Sequence, residues 1–178
     1  TRAVNGRDMN GPRIEVDLSK IRNNARTIVQ RLGLRGVGVT GVTKAVCGNP
    51  SIAQAMLDGG ALGLGDARTS NIERLRKAGI SCPITLIRTP MLSQVEQVVR
   101  CCEASYNTEV AVIEALSVAA VRHDKVHGII LMIEMGDQRE GILPQNLDSR
   151  VISVQLPSAF RSARQPECSG GLCQPGGG

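Results

Sequence analysis

Short runs of apolar residues alternate along this chain with longer segments in which apolar residues recur every three or four positions. The apolar runs are spaced by 20 to 24 residues and begin near Arg13, Val37, Ala61, Ile84, Ala104 and His127. This spacing accommodates one strand and one helix per unit, so it predicts six strands that alternate with helices. The runs at residues 84–87 and 129–133 contain almost no polar residue, which is typical of parallel strands buried on both faces.

Polar residues and glycines mark where the helices between these runs begin and end. We predict N-terminal caps at Ser19, at Asn49 before Pro50 and at Asn107, and capping boxes at Ser70–Glu73 and Ser93–Glu96. In a capping box the serine accepts a hydrogen bond from a backbone N–H, and the glutamate reaches back to the amide of the serine. Glycines at positions 33, 59, 60 and 79 fall where helices are expected to stop.

Alternation of strand and helix allows two architectures, an open doubly wound sheet or a closed barrel. No Gly-x-Gly-x-x-Gly motif follows the first predicted strand, so a dinucleotide site is not indicated, and the even spacing favours a barrel. A complete (β/α)8 barrel takes about 250 residues, whereas this chain has 178. The fold predicted is therefore an α/β structure, a partial (β/α)8 TIM-type barrel that is incomplete at its C-terminus.

The alternating pattern also divides the chain into three parts. Residues 1–11 are polar and are predicted to form a disordered N-terminal extension, in which Met9 is the expected natural start. Residues 12–148 carry the βα pattern and form the barrel portion. Residues 149–178 are rich in Ser, Arg, Gln, Pro, Cys and Gly and are predicted to form a disordered tail that is foreign to the barrel. A frameshift, a truncated gene or a vector-derived end would each produce such a tail.

Composition narrows the classes of function. Apolar residues make up 42% of the chain, and the formal net charge is +5. The basic residues are scattered and are not interleaved with aromatic rings, because Tyr106 and Phe160 are the only aromatic residues; nucleic-acid binding is therefore not expected. No apolar run approaches the ~20 residues that span a membrane, and no signal peptide is visible, so we expect a cytoplasmic protein.

Cysteine and histidine do not form a recognisable metal motif in this sequence. The six cysteines, at positions 47, 82, 101, 102, 168 and 173, match no common zinc or disulfide spacing and are expected to be free thiols. Cys102 falls on the apolar face of a predicted helix, and Cys47 is expected to be a buried, inert thiol. His123 and His127 flank a turn between a helix and a strand and are expected at the surface.

One lysine stands where catalysis is expected in a barrel. The predicted strand at residues 37–43 runs directly into Lys44, and barrels of this type place their active sites at the carboxyl ends of the strands. An amine surrounded by apolar walls is less stable as an ammonium ion. A neutral amine can attack an aldehyde and form a Schiff base. A lysine at a strand end that merely reaches solvent is the alternative on position alone.

Several motifs carry a resemblance to a known family. Gly41-Val-Thr-Lys44 leads into Cys47-Gly-Asn-Pro50, and Met135-Gly-Asp-Gln-Arg139-Glu-Gly141 lies in the longer segment Leu131–Pro144. These motifs resemble the amino-terminal barrel of the alanine racemase superfamily, and within it the ornithine racemase group. The resemblance covers residues 12–147 and extends to Pro12–Leu18, Leu64–Arg68, Pro90–Ser93 and Ser105–Glu109.

The resemblance implies a cofactor and two site residues. It implies pyridoxal 5'-phosphate (PLP) held as a Schiff base on Lys44, with Arg139 close to the phenolic oxygen of the cofactor. It also implies an amino acid as substrate and a homodimer as the state of the intact family members. In such enzymes the second acid–base group and the phosphate-binding groups are supplied from beyond this region, and nothing after Ser149 resembles them.

Three functional hypotheses remain open at this point. The first is a PLP-dependent racemase acting on ornithine, alanine or a similar amino acid through Lys44. The second is a non-catalytic PLP-binding protein of the homeostasis type, which shares the barrel and the strand-end lysine. The third is an incomplete, inactive copy whose open strand edges promote association.

Overall fold

The structure, a computed structural model, describes residues 14–136 and 140–146. Five helices are present in this part of the chain: α1 (Leu18–Gly33), α2 (Pro50–Asp58), α3 (Thr69–Lys77), α4 (Val95–Cys101) and α5 (Val110–Arg122). They alternate with five strands: β1 (Thr40–Val42), β2 (Gly63–Asp66), β3 (Ile84–Leu86), β4 (Ala104–Asn107) and β5 (Gly128–Leu131). Short 3-10 helices span Lys44–Val46, Leu92–Gln94 and Pro144–Asn146.

The five strands form one parallel sheet in the order β1-β2-β3-β4-β5. Each strand therefore pairs with its neighbour in the sequence, and the order does not reverse as it does in a doubly wound sheet. This topology is that of consecutive units of a (β/α)8 barrel and confirms the predicted fold class. The helices of the described chain include none that is long and apolar enough to cross a membrane.

The predicted starts of the third and later paired strands agree with the structure better than the earlier ones. β3 and β4 begin at the predicted residues, Ile84 and Ala104, while β1 begins three residues after Val37. The strand predicted near Arg13 is not found in residues 14–17, which have no regular secondary structure, and Arg13 lies outside the described residues. An apolar run becomes a strand only where a neighbouring strand pairs with it, and none of the described strands pairs with this one.

The helix ends follow the predicted pattern at some positions only. The cap at Asn49 is confirmed, since its side chain accepts bonds from the amides of Ser51 and Ile52 at 3.0 and 3.2 Å. Four other cap predictions are wrong, because the structure begins these helices after Asp17, Arg68, Gln94 and Glu109. Asp17 caps α1 by accepting from the amides of Ser19 and Lys20.

The apolar core lies between the sheet and the helices. It joins Leu64, Ile84 and Leu86 of the strands to Ile72, Leu75, Val98, Val99 and Leu116 of the helices, all of which are nearly inaccessible to solvent. Helix α1 packs against α2, where a Cβ at Gly59 would lie 2.5 Å from the Ala25 side chain. Burial of aliphatic side chains against one face of the sheet is thus the main stabilising contribution.

The opposite face of the sheet is less covered than the sequence predicts. Val42 of β1 is 44% exposed and Ile130 of β5 is 39% exposed, whereas every residue of β2 is buried. The expectation that all strands are buried on both faces is therefore wrong for the two edge strands. β1 and β5 are the two edge strands of the described sheet, so each of them has a described neighbouring strand on one side only.

Arg76 ties the amino-terminal ends of the central strands to their helices. Its guanidinium donates to the carbonyls of Ile80, Cys82 and Cys101 at 2.8–3.0 Å and to both carboxylate oxygens of Glu103 at 2.8 and 2.7 Å. Arginine presents five N–H donors in a planar fork, and here each donor direction has an acceptor. We call this group of contacts the Arg76 clasp.

His127 is buried between β4 and β5, which corrects the expectation of a surface histidine. It is 1% exposed, with Nε2 at 2.9 Å from Ser105 Oγ and Nδ1 at 3.3 Å from the carbonyl of Cys102. Burial lowers the pKa of this imidazole to about 4, because the charged form loses its hydration. His123 is half-buried and lies 2.7 Å from a carboxylate oxygen of Glu96.

Candidate functional site at the carboxyl ends of the strands

Lys44 lies two residues after the end of β1 and begins the 3-10 helix Lys44–Val46. It therefore stands at the carboxyl end of a sheet strand, as predicted from the sequence. The side chain is exposed, and it forms no hydrogen bond or ion pair with any residue that the structure describes. The amine is thus available to a ligand. The apolar walls expected around it are not supplied by the described residues.

A buried hydrogen-bond network holds the residue before Lys44. Thr43 is fully buried, and its hydroxyl donates to Asp66 Oδ2 at 2.7 Å. The other carboxylate oxygen of Asp66 accepts from Asn71 Nδ2 and from the amide of Arg68, both at 3.0 Å. We call Thr43, Asp66 and Asn71 the strand-end network. It joins the ends of β1 and β2 to the first turn of α3 through bonds to a buried carboxylate, which are among the stronger kinds.

The turn that carries Lys44 is also held from its far side. Cys47 and Gly48 both adopt left-handed backbone conformations, with φ of 52° and 61°. A Cβ at Gly48 would lie 2.8 Å from the side chain of Asn71 and 2.9 Å from its carbonyl oxygen, so only glycine fits without displacement. Arg74 donates to the Cys47 carbonyl at 2.6 Å. These contacts fix the short helix from Lys44 onward against α3.

Cys47 itself differs from its prediction. The sequence suggests a buried, inert thiol, but the structure places Cys47 at the surface beside the turn. The cause is its left-handed conformation at the end of the 3-10 helix, which directs the chain away from the sheet before α2 begins. Cys102 is buried on the apolar face of α4 as predicted, and Cys168 and Cys173 lie outside the described residues.

Arg139 also lies outside the described residues, so its predicted proximity to the cofactor stays a prediction. The residues on either side of its loop are described and are held together. The amide of Glu134 donates to the carbonyl of Ile142, and the amide of Ile142 donates to the carbonyl of Met132, both at 2.9 Å. Residues 132, 134 and 142 are therefore joined just after the carboxyl end of β5, at the same edge of the sheet as Lys44.

The face of the sheet beside Lys44 is suited to a flat ligand. Thr40 and Val42 of β1 share this face with Gly65 of β2, since Cγ2 atoms of both lie within 3.8 Å of a Cβ built on Gly65. The same Cβ would lie 3.1 Å from Ile87 Cγ2, so a side chain at position 65 would occupy this space. An exposed primary amine at the same edge of the sheet, with no partner among the described residues, fits a cofactor that carries an aldehyde on an aromatic ring.

Sequence reasoning did not find the strand-end network. Thr43 and Asp66 are 23 residues apart, and nothing in a periodic pattern shows that they bond. The sequence carries one partial signal, because the segment Leu64–Arg68, which contains Asp66, resembles a segment of the racemase barrel.

Comparison with known proteins agrees with this geometry. The family model for the alanine racemase N-terminal domain matches residues 16–160. The chain belongs to the alanine racemase family. Its barrel topology is therefore that of a racemase-type barrel.

Two curated relatives are similar to the chain in sequence. The lysine racemase of Thermotoga maritima is 34% identical over 131 residues, which are 74% of this chain and 37% of the relative. The ornithine racemase of Acetoanaerobium sticklandii is 34% identical over 130 residues, 73% of this chain and 36% of the relative. The predicted kinship with the ornithine racemase group is thus confirmed. The chain spans little more than a third of the length of these relatives.

The solved structures include a protein of the same fold, of which this chain covers a larger share than it does of the racemases. PipY of Synechococcus elongatus PCC7942, whose structure was solved with PLP bound, has a TM-score of 0.63 and 16% sequence identity. The match covers 76% of this chain and 67% of PipY. At this identity the likeness shows the fold alone.

Proposed function

We propose that this chain is the cofactor-binding part of a PLP-dependent amino-acid racemase, with Lys44 as the residue that holds the cofactor. The observation that carries the proposal is the free amine of Lys44, held at a strand end by the buried bond between Thr43 and Asp66. Family membership supports it, since the curated relatives are named as racemases.

The residues of the chain would divide the work as follows. Lys44 would bind the aldehyde carbon of PLP, while Val42, Gly65 and Ile87 provide the surface beside the ring. Arg139 would donate charge-assisted hydrogen bonds to the phenolic oxygen. When bound, PLP supplies an electron sink that makes the α-proton of an amino acid removable. Lys44 would then be placed to move that proton on one face.

The complete reaction needs groups that lie beyond this region in the family. A second acid–base group must act on the other face, and further donors must hold the cofactor's phosphate. We propose that a longer chain, working as a homodimer, supplies both. The substrate proposed is a basic amino acid of the ornithine or lysine type, because the two relatives at 34% identity are named for these substrates.

Capture of the cofactor tests the lysine assignment. Purified protein is mixed with PLP, reduced with cyanoborohydride and digested, and the modified peptide is identified by mass spectrometry. We expect one modified site, Lys44, and no modification at Lys20 or Lys77, which are control lysines on α1 and α3. Equal modification of all three lysines would contradict the assignment, and so would an unmodified Lys44.

A non-catalytic PLP carrier is the second candidate, and the likeness to PLP-bound PipY favours it. Both candidates expect capture at Lys44, so the capture experiment does not separate them. A chiral assay with L-ornithine, L-lysine and L-alanine does. Formation of the D-isomer that is lost in Lys44→Ala supports the racemase, whereas binding of PLP without turnover of any amino acid supports the carrier.

A further inference from the structure

A small cavity lies at the carboxyl ends of β2 and β3, beside the start of α3. Its volume is about 230 Å³, and its lining comes from the loop after β2, the loop after β3 and the 3-10 helix Leu92–Gln94. This is smaller than a pocket for a drug-sized ligand, which is about 300 Å³ or more. A ligand of a few heavy atoms, or the head group of a small metabolite, fits this volume.

The polar groups that line the cavity are mainly donors. Arg68 and Arg88 both line it, and neither guanidinium forms a hydrogen bond or ion pair with any residue in the described part of the chain. Ser70 and Thr89 contribute hydroxyls. The Oε1 atom of Gln94 already accepts from the amide of Met91 at 3.3 Å, which leaves its NH2 group as a donor. Two positive charges with no paired carboxylate favour an anion.

Helix α3 begins at the same cavity without a side-chain cap. The amides of Asn71 and Ile72 donate to the carbonyl of Arg68 at 3.1 and 3.2 Å. The two preceding amides belong to Thr69 and Ser70, which both line the cavity. Uncapped N–H groups at the start of a helix, together with the positive end of the helix dipole, are favourable to an oxyanion.

A largely buried threonine whose hydroxyl has no described partner is the independent sign of a ligand. Thr69 is only 8% exposed, yet it lines the cavity and its side chain forms no hydrogen bond with any described residue. A threonine inside a helix can donate to a carbonyl one turn earlier, but Thr69 is the first residue of α3 and has no such carbonyl. Its hydroxyl is therefore left to donate a hydrogen bond to an acceptor bound in the cavity.

The nearby carboxylate of Asp66 does not compete for these groups. It is fully buried, and its oxygens accept from Thr43, from Asn71 and from the amide of Arg68. Its charge is therefore used on the inner side of the strand end. The two guanidiniums and the Thr69 hydroxyl remain for the cavity.

We propose that Arg68, Arg88, Thr69 and the first turn of α3 form a binding site for a small oxyanion, either a phosphate or a carboxylate group. The site is distinct from the place proposed for the cofactor, because its lining includes neither Lys44 nor the residues proposed beside the ring, Val42, Gly65 and Ile87. It does not depend on the proposed racemase activity. Phosphate and carboxylate differ in shape, but each presents two anionic oxygens that a guanidinium can bind with two parallel hydrogen bonds.

Titration calorimetry with inorganic phosphate tests the site at constant ionic strength, with chloride as the replaced ion. We expect saturable binding of one phosphate per chain. Arg68→Gln, Arg88→Gln and Thr69→Val are each expected to weaken it roughly tenfold, the effect of losing one hydrogen bond to a charged group. Arg26→Gln, which removes an exposed arginine on α1, is the matched control and should bind as tightly as the original chain.

Two further arms identify the ligand and protect the conclusion. Tighter binding of phosphate than of acetate indicates a phosphorylated ligand, and the reverse order indicates an organic acid. Circular dichroism on each variant shows that it is folded, so that lost binding is not lost structure. Absence of saturable binding by both anions, or equal affinity in Arg88→Gln and Arg26→Gln, overturns the proposal. Capture of PLP at Lys44 is expected to be unchanged in Arg88→Gln, so failure of this site and failure of the proposed function give different results.

Discussion

The bond between Thr43 and Asp66 makes a prediction that links stability to the candidate site. Thr43→Val replaces the hydroxyl by a methyl group of nearly the same size, so the fold has no cavity to fill. The variant loses a 2.7 Å hydrogen bond to a buried carboxylate and leaves Asp66 Oδ2 without a donor. Hydrogen bonds to charged groups contribute about 1.5–3 kcal/mol, and we expect a loss of about 2 kcal/mol in the free energy of unfolding.

Thr43→Ser is the matched control for this change. It keeps the hydroxyl and removes only a buried methyl group, so we expect a smaller loss, about 1 kcal/mol. Urea unfolding followed by circular dichroism measures both values. A double-mutant cycle with Asp66→Asn isolates the pair, and a coupling energy of at least about 1 kcal/mol is expected.

The same variants report on Lys44. Because Thr43 immediately precedes the lysine, loss of its bond should let the start of the 3-10 helix shift, and capture of PLP by Lys44 should slow in Thr43→Val but not in Thr43→Ser. If Thr43→Val and Thr43→Ser are equally stable and capture PLP at the same rate, the strand-end network does not position the amine. The reasoning about the site would then be refuted.

Three other predictions test separate features of the fold. Arg76→Met should lower the free energy of unfolding by about 3 kcal/mol, because it removes a partly buried guanidinium that bonds three carbonyls and Glu103. In the same urea experiment, the control Arg100→Met, on the exposed side of α4, should change this free energy by less than about 0.5 kcal/mol. Gly48→Ala should cost about 2 kcal/mol or more, since φ is 61° and the new Cβ would meet Asn71 at 2.8 Å; thermal unfolding measures this, and an unchanged Tm would contradict it. The pKa of buried His127 is about 4, below the ordinary value of 6.5. As the pH falls, the unfolded chain therefore binds the proton before the folded chain does. We expect the contribution of the neutral histidine to the free energy of unfolding to be complete above pH 6.5 and to be lost, by about 3 kcal/mol, as the pH approaches 4. His127→Gln should flatten this decline, and an equally steep pH profile in that variant would show that other groups cause it.

The sequence predicted the alternation of strand and helix and the order of the barrel because both depend on local periodicity. Ile84 and Ala104 begin strands as predicted, since each apolar run there lies between two neighbours that pair with it. The run near Arg13 has the same local pattern, but pairing is a long-range event that periodicity does not encode. The same limit explains the exposed faces of β1 and β5, whose burial requires a further strand.

The cap predictions failed for a related reason. Ser70 has the right chemistry for an N-cap, but α3 begins one residue earlier, because the buried carboxylate of Asp66 binds the amide of Arg68 and sets the start of the turn. Ser93 lies within the 3-10 helix that precedes α4, where Gln94 bonds the amide of Met91 instead. In both places a contact outside the motif decides where the helix begins.

In the candidate site, too, the locally encoded residue could be predicted from the sequence and its distant partners could not. Lys44 could be predicted, because a lysine at the end of an apolar run is visible in the sequence and the resemblance gave it a role. The partners that hold it could not, since Asp66 and Asn71 come from other βα units. His127 was misplaced for the same reason, as its burial depends on Ser105, which is 22 residues away in the chain.

The attachment of Lys44 to the sheet has a consequence for how such a protein can diversify. Thr43 is held by the pairing of β1 with β2 and by its hydrogen bond to Asp66. The Lys44 amine should therefore keep its position when the surrounding loops are exchanged. Those loops, after β2 and β3, carry the arginines and hydroxyls that would meet a ligand. Replacement of these loops can therefore change ligand selectivity while the position of the Lys44 amine stays the same. Ligand selectivity and amine position are thus separate targets for protein engineering.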